Sequence, residues 1–380
     1  MLTALRHGSP CTAVRVVPDS PCAVVSVAFD RGYLDDPPHR PGLAHLFEHV
    51  WFALEPRGPA LEWGETGEHA VVLHHTCPPD RIAAVVDAVA TRLARLTAPP
   101  SPEAVTAALR LIRLEHRGLR EEPLPGFPRR PLAGLLRGDP GFDPVAVRAG
   151  ARELPALAGE LGRFVHGRAH AVCVAGPTPG PAADDLARMC AGAGVRPAVR
   201  PPAVPPAAGR TVTEGGTGAC AAAWVLPRTP QSAAAARLVA GLLERRPRPA
   251  GTRWVSGRVL SPHGVVPVRG GHLYAVAAGT DGRRPCAASL PGTVLLPLLR
   301  GPLDDLGTVR SALVRERPDV TDLAAWDALD LLHGTPGRPC GPDDVRRAVR
   351  SLDAEALHRF ADLLAAGPYA EIDTRAAGHP

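Results

Sequence analysis

Gly42-Leu43-Ala44-His45-Leu46-Phe47-Glu48-His49 is the stretch on which the reading of this chain turns. It sets two histidines four positions apart, with a glutamate three positions after the first. At 3.6 residues per turn, all three share one face of a helix. Leu43, Leu46, Phe47, Val50 and Trp51 give that helix apolar positions with which to sit in a core. Two imidazoles at i and i+4 on a rigid element can hold one zinc ion. The carboxylate at i+3 then stands beside a metal-bound water whose pKa zinc lowers to about 7, placed to take its proton. A surface helix with a solvated His pair is the plainer reading, and the apolar neighbours oppose it.

Catalytic zinc takes three protein ligands and a water, so one ligand remains to be found. A helix with Ser101 as its cap, Pro102 at its first position and Glu103 in its first turn is expected to run to about Gly118. Its apolar face is Val105, Ala108, Leu109, Ile112 and Leu119. Glu115 falls at the flank of that face and His116 near its middle, where a polar group needs a partner. Geometry alone leaves open whether either is a ligand or simply a half-buried polar residue. His74, His75 and Cys77 form a second cluster. Adjacent strand positions face opposite ways, so only His75 and Cys77 converge, and two-residue sites rarely hold zinc.

The 380-residue chain is long enough for two domains with cores of their own. Its strands are expected at Thr12–Val17, Cys22–Phe29, Ala70–Thr76 and His170–Ala175. Helices are expected over Pro41–Leu54, from Asp80 to Leu96, and over Pro155–Phe164, with a loop-rich stretch from Glu121 to Pro144. The run VRPAVRPPAVPPAAG, Val195 to Gly209, reads as a semi-rigid proline-rich spacer. After it the order repeats loosely: a strand at Ala221–Leu226, a helix at Ser232–Leu243, a strand at Leu273–Ala278, then helices to the end. The division expected is a domain over 1–195, a linker over 196–210 and a second domain over 211–380. The fold class is α+β, two tandem domains of similar design, each an antiparallel sheet packed with helices.

Composition narrows the function classes. Net charge is +5 and every basic residue is an arginine, scattered without a long basic stripe, so no nucleic-acid partner is expected. No run approaches the ~18 apolar residues that span a bilayer, so no membrane is expected either. Met1 to Val17 has no apolar core of a leader peptide, and cytoplasmic placement is the default. The eight cysteines show no CxxC pair and read as free thiols.

GLAHLFEH resembles the GLAHxLEH signature of the pitrilysin-type (M16) metallopeptidases, the inverzincins. The likeness extends through DRGYLDDPPHRPGLAHLFEHVWF, and through Glu115 to Pro123 followed by Leu135-Leu136-Arg137-Gly138-Asp139-Pro140. It covers most of residues 10–145, and the rest only weakly. The resemblance implies zinc as cofactor, Glu115 as third ligand beside His45 and His49, and Glu48 as general base. It also implies one half of a clamshell, completed by a second copy or by a related half-molecule, around a peptide substrate. Tyr274, in GHLYAV, resembles the family's substrate-contacting tyrosine. The arginine expected seven residues earlier is replaced by Pro267, leaving Arg269 or the more distant Arg258. Tyr274 reads equally well as an ordinary strand residue.

Three departures stand out. The family places its third ligand a little further along the chain than Glu115 stands from His49. Where the family carries a GGxxNAxT segment that grips substrate as an added strand, the stretch 53–71 here leads into LEWGETGEHAVV, shortened and without that Asn. Ala108 replaces an acidic residue expected before the ligand. The expectation is a zinc endopeptidase acting on peptides or unfolded segments, with processing of a small precursor as one form. The alternative is a non-catalytic peptide-binding or scaffold subunit partnered with a related catalytic chain.

Overall fold

The computed structural model describes residues 4–6, 12–96, 98–121, 136, 147, 149–166, 170–177, 209–216, 219–245, 252–256, 265–268, 271–280, 291–316, 318–333 and 340–376. In chain order the first elements are β1 (Ala4–Arg6), β2 (Thr12–Val16), β3 (Ala23–Phe29), α1 (Leu43–Ala53), β4 (Leu61–Thr66) and β5 (Val71–Cys77). Then come α2 (Ile82–Arg95), α3 (Pro102–Glu121), α4 (Leu154–Val165) and β6 (His170–Gly176). The next group is β7 (Gly209–Gly216), β8 (Ala219–Pro227), α5 (Pro230–Arg245), β9 (Thr252–Ser256), β10 (Val265–Val268) and β11 (Gly271–Thr280). The remainder is largely helical: α6 (Leu296–Arg300), α7 (Leu306–Arg315), α8 (Val320–His333), α9 (Pro342–Ser351) and α10 (Ala354–Ala366), closed by β12 (Tyr369–Ala376).

Two units result. Unit 1 holds Met1–Glu122, Asp143–Arg200 and Pro318–Pro336; unit 2 holds Pro123–Phe142, Pro201–Arg317 and Gly337–Pro380. The sequence division into 1–195 and 211–380 did not foresee this interleaving. The segment carrying α8 belongs with the first unit, although the chain reaches it late. Most of the proline-rich stretch 196–210 lies outside the described residues, as does nearly all of Glu121 to Pro144.

The sheet of unit 1 runs β1-β2-β6-β3-β5-β4. Every residue of β3 is buried, so apart from Ser26 it reads as an apolar run rather than an alternating one. One face, with Val25, Val27, Phe29 and Leu73, packs with residues of α1, α2, α3 and α4. The other, with Val24, Ala28, Val72 and Cys173, packs under Val320, Ala324 and Ala328 of α8. A buried ion pair joins Arg15 of β2 to Asp327 of α8, its second hydrogen bond running from the guanidinium to Asp327 Oδ1 at 2.7 Å. The β4 strand, at the sheet's edge, occupies the stretch that departs from the family pattern.

The sheet of unit 2 runs β10-β11-β8-β12-β7, with β9 also pairing β11. The expectation of antiparallel sheets holds for every pairing but one in each unit: β2 with β6, and β7 with β12, are parallel. Parallel neighbours need a long crossover, and in each case the intervening elements of the unit provide it. The expectation of helices to the C-terminus also fails. β12, YAEIDTRA, is a strand between β7 and β8, and its polar residues hide that position from a hydrophobic pattern.

Candidate metal centre

The side chain of Asp36 sets where α1 begins. Its carboxylate accepts from the backbone N–H groups of Gly42 at 2.7 Å and Ala44 at 2.8 Å. Gly42 itself is left-handed, with φ of 82°. A buried acid at a helix N-terminus satisfies orphan donors and favours the helix dipole. The helix therefore starts at Leu43 with its register fixed, two residues later than the sequence predicts.

From α1, His45 and Glu48 point into the interior and His49 is partly covered. The Nε2 atoms of His45 and His49 lie 3.1 Å apart. From α3, Glu115 reaches across so that Oε2 sits 3.1 Å from His49 Nε2 and 3.3 Å from His45 Nε2. Three donor atoms thus form a nearly equilateral triangle. Donors bound at about 2.0–2.1 Å around a tetrahedral metal are separated by about 3.3 Å, so the spacing fits such an ion. Hydrogen bonds from His45 and His49 hold the Glu115 carboxyl well below its ordinary range. Ligand atoms of His45, Glu48 and His49 also lie within 4.8 Å of one another. The side chain of His116 is outside the described residues, and Glu115 is the α3 residue seen at the cluster.

Glu48 stands beside the triangle. Burial pushes its carboxyl up, and the charges of His45 and His49 with a hydrogen bond from Thr66 only partly offset this. Thr66 Oγ1 donates to Glu48 Oε2 at 2.7 Å. Gly64, two residues earlier on β4, has no side chain where Glu48 passes; a Cβ there would lie 2.7 Å from Glu48 Cγ. Neither residue stood out in the sequence. The signal was period-2 alternation in LEWGET, which puts Glu62, Gly64 and Thr66 on one face.

Beneath this edge a buried polar network ties β4 to the helices. Arg92 of α2, wholly buried, donates to Glu62 at 2.8 and 3.3 Å, and to the carbonyl of Pro56 at 3.0 Å. Trp51 of α1 donates to His75 Nε2 at 3.1 Å. That contact fixes the tautomer, so His75 Nδ1 carries the proton donated to Glu62 Oε1 at 3.0 Å. Burial raises the Glu62 carboxyl, but the bonds from His75 and Arg92 override it and hold it below its usual value. His75 is therefore a structural hydrogen-bonding residue. Cys77 is buried and its thiol is pushed up to about 11, mainly by burial. His74 pairs with Ser26 Oγ at 2.9 Å and stacks on Trp63.

Tyr274, expected to contact substrate, is a core residue of unit 2. It is fully buried, with its ring near those of Trp224 and Phe360. Its hydroxyl has no hydrogen-bond partner among the described residues, and burial drives its pKa well up. A side chain with no exposed surface has no route to a substrate in this conformation. Arg269 and Arg258 lie outside the described residues.

No protein-family model matches the chain, and no curated protein matches it in sequence. Solved structures do match in fold. A protease from Helicobacter pylori superposes with a TM-score of 0.67 at 11% identity, covering 99% of each chain. An inactive domain of peptidase M16 from Pseudomonas fluorescens gives 0.63 at 15% identity, covering 99% of this chain and 98% of that one. Pitrilysin gives 0.62 at 12% identity, covering 99% of this chain and 45% of its own. The chain spans about half the length of pitrilysin, and has the fold of one half of the M16 clamshell.

Proposed function

We propose that this chain is a zinc metallopeptidase of the M16 type, acting on peptides or unfolded segments. The observation that carries the reading is the approach of Glu115 Oε2 to both imidazoles, from a position 66 residues beyond His49. A solvated His pair on a surface helix does not require a carboxylate from a second helix placed against both of its ring nitrogens. His45, His49 and Glu115 would hold the zinc, which when bound supplies Lewis acidity and an acidified water. Glu48, largely buried, would act as general base and take a proton. As one half of a clamshell, the chain would close its chamber with a second copy or a related half-molecule. Cytoplasmic placement stays part of the proposal; among the described residues no helix is long and apolar enough to cross a membrane.

A second reading has one observation in its favour. The buried Tyr274 leaves unit 2 without the exposed tyrosine the resemblance implied, as fits a non-catalytic peptide-binding subunit beside a related catalytic chain. Mass-spectrometric cleavage of a mixed peptide library by the zinc-loaded chain separates the two, with Glu48→Gln in parallel. Products from the parent alone support the peptidase. No products from either protein, with zinc bound stoichiometrically, favour the binding subunit.

A further inference from the structure

We infer that Thr66 is a positioning residue for Glu48, with the missing side chain of Gly64 making its hold possible. This rests on the peptidase reading for its consequence, though not for its geometry. Glu48 has three rotatable side-chain bonds before its carboxylate, and helix α1 fixes only the first atoms. Among the described residues, the carboxylate is held from β4, where Thr66 Oγ1 donates to Oε2 at 2.7 Å. A bond of that length to an ionised carboxylate is in the strong, charge-assisted range. It occupies one oxygen and leaves Oε1 as the oxygen that can take a proton.

The strand is built to make this contact. Glu62, Gly64 and Thr66 alternate on the inner face of β4. Glu62 is anchored from below by Arg92 and His75, so the strand cannot slide without breaking buried charged hydrogen bonds. At the middle position, the side chain of Glu48 passes where any Cβ would sit, within 2.7 Å of Cγ and 3.0 Å of Cδ. The last position then meets the carboxylate. Among the described residues, the hydroxyl of Thr66 bonds to Glu48 and not to His45, His49 or Glu115, so its effect runs through Glu48. Geometry held this closely matters, because small displacements of a reacting group carry large rate penalties.

The test compares Thr66→Val, which keeps shape and β propensity but removes the hydroxyl, with Thr66→Ser, which restores it. Crystal structures of the metal-free parent and both variants read the Glu48 conformer without any need for activity. A single Glu48 conformer is expected in the parent and in Thr66→Ser, and several in Thr66→Val. Zinc-loaded protein should then show kcat about tenfold to a hundredfold lower for Thr66→Val, with KM and zinc content unchanged and Thr66→Ser near the parent. An unchanged Glu48 conformer in Thr66→Val overturns the inference. So does an unchanged kcat, or a loss that Thr66→Ser fails to rescue. If the parent turns over no peptide while the conformer still depends on Thr66, the positioning stands and the peptidase reading falls.

Discussion

The two units share a strand plan and bury different residues against it. In unit 1, β3 is flanked by β5 on one side and β6 on the other, with β4 beyond β5 and β2 parallel to β6. In unit 2, β8 is flanked by β11 and β12, with β10 beyond β11 and β7 parallel to β12. The helix after β3 is α1, which buries His45 and Glu48; the helix after β8 is α5, which buries Ala233, Ala234, Ala235 and Ala236. Gly241 lets α5 approach α7 closely: a Cβ there would come within 2.6 Å of Val309. The lesson is that the shared plan supplies only a helix set against a sheet. What happens there depends on which residues that helix buries.

The comparison can be broken most sharply by turnover. Glu48→Gln in unit 1 is expected to lower kcat by about 10²–10⁴-fold with zinc retained, whereas Tyr274→Phe in unit 2 leaves it unchanged. A loss of turnover in Tyr274→Phe would restore a catalytic part to unit 2. Next in size is the ion pair under α8. Arg15→Leu strands Asp327 in a buried site and should cost about 3–5 kcal/mol in chemical denaturation, with much of that recovered when Asp327→Leu is added. Equal losses in the single and double variants would show that the pair does not hold α8.

Metal binding sharpens the contrast from another side. Glu115→Ala removes one of three donors and should weaken zinc by at least about tenfold to a hundredfold in a chelator competition, while a Glu371→Ala change in unit 2 should not. A last effect, spread over several pH units and therefore small at any one step, concerns a feature the units share. His74 in unit 1 and His272 in unit 2 are both held neutral, mainly by burial, with pKa values lowered from 6.5 to about 3. For a histidine depressed in the folded state, the unfolded chain takes the proton first. Stability should therefore fall as pH drops from about 6.5 towards 3, by up to about 1.4 kcal/mol per pH unit for each such group. His74→Leu should flatten that slope in pH-dependent denaturation, and an unchanged slope would mean the ring titrates normally.

How much of this was legible varies with the range of the interaction. His45, Glu48 and His49 could be read together because four positions on a helix bring them together whatever the rest of the chain does. Strands β3, β5, β6, β8 and β11 announced themselves through apolar runs. Edge strand β4 and the polar strand β12 did not, since each takes its place from its neighbours rather than from its own hydrophobicity. Cys77 and His75 looked like a pair from spacing, yet the packing of Trp51 and Glu62 commits His75 to another partner.

By itself the sequence determined the local facts: the shared face of His45, Glu48 and His49 on α1, the order of elements in two similar halves, and a helix carrying Glu115. Tertiary structure decided everything that depends on elements far apart in the chain. It brought Glu115 to the two histidines, set Thr66 against Glu48, sank Tyr274 into a core and placed α8 with the first unit. Helical periodicity is a property of adjacent residues and survives in a one-dimensional reading. Which side chain meets which across a sheet depends on packing, and packing exists only once the chain has folded.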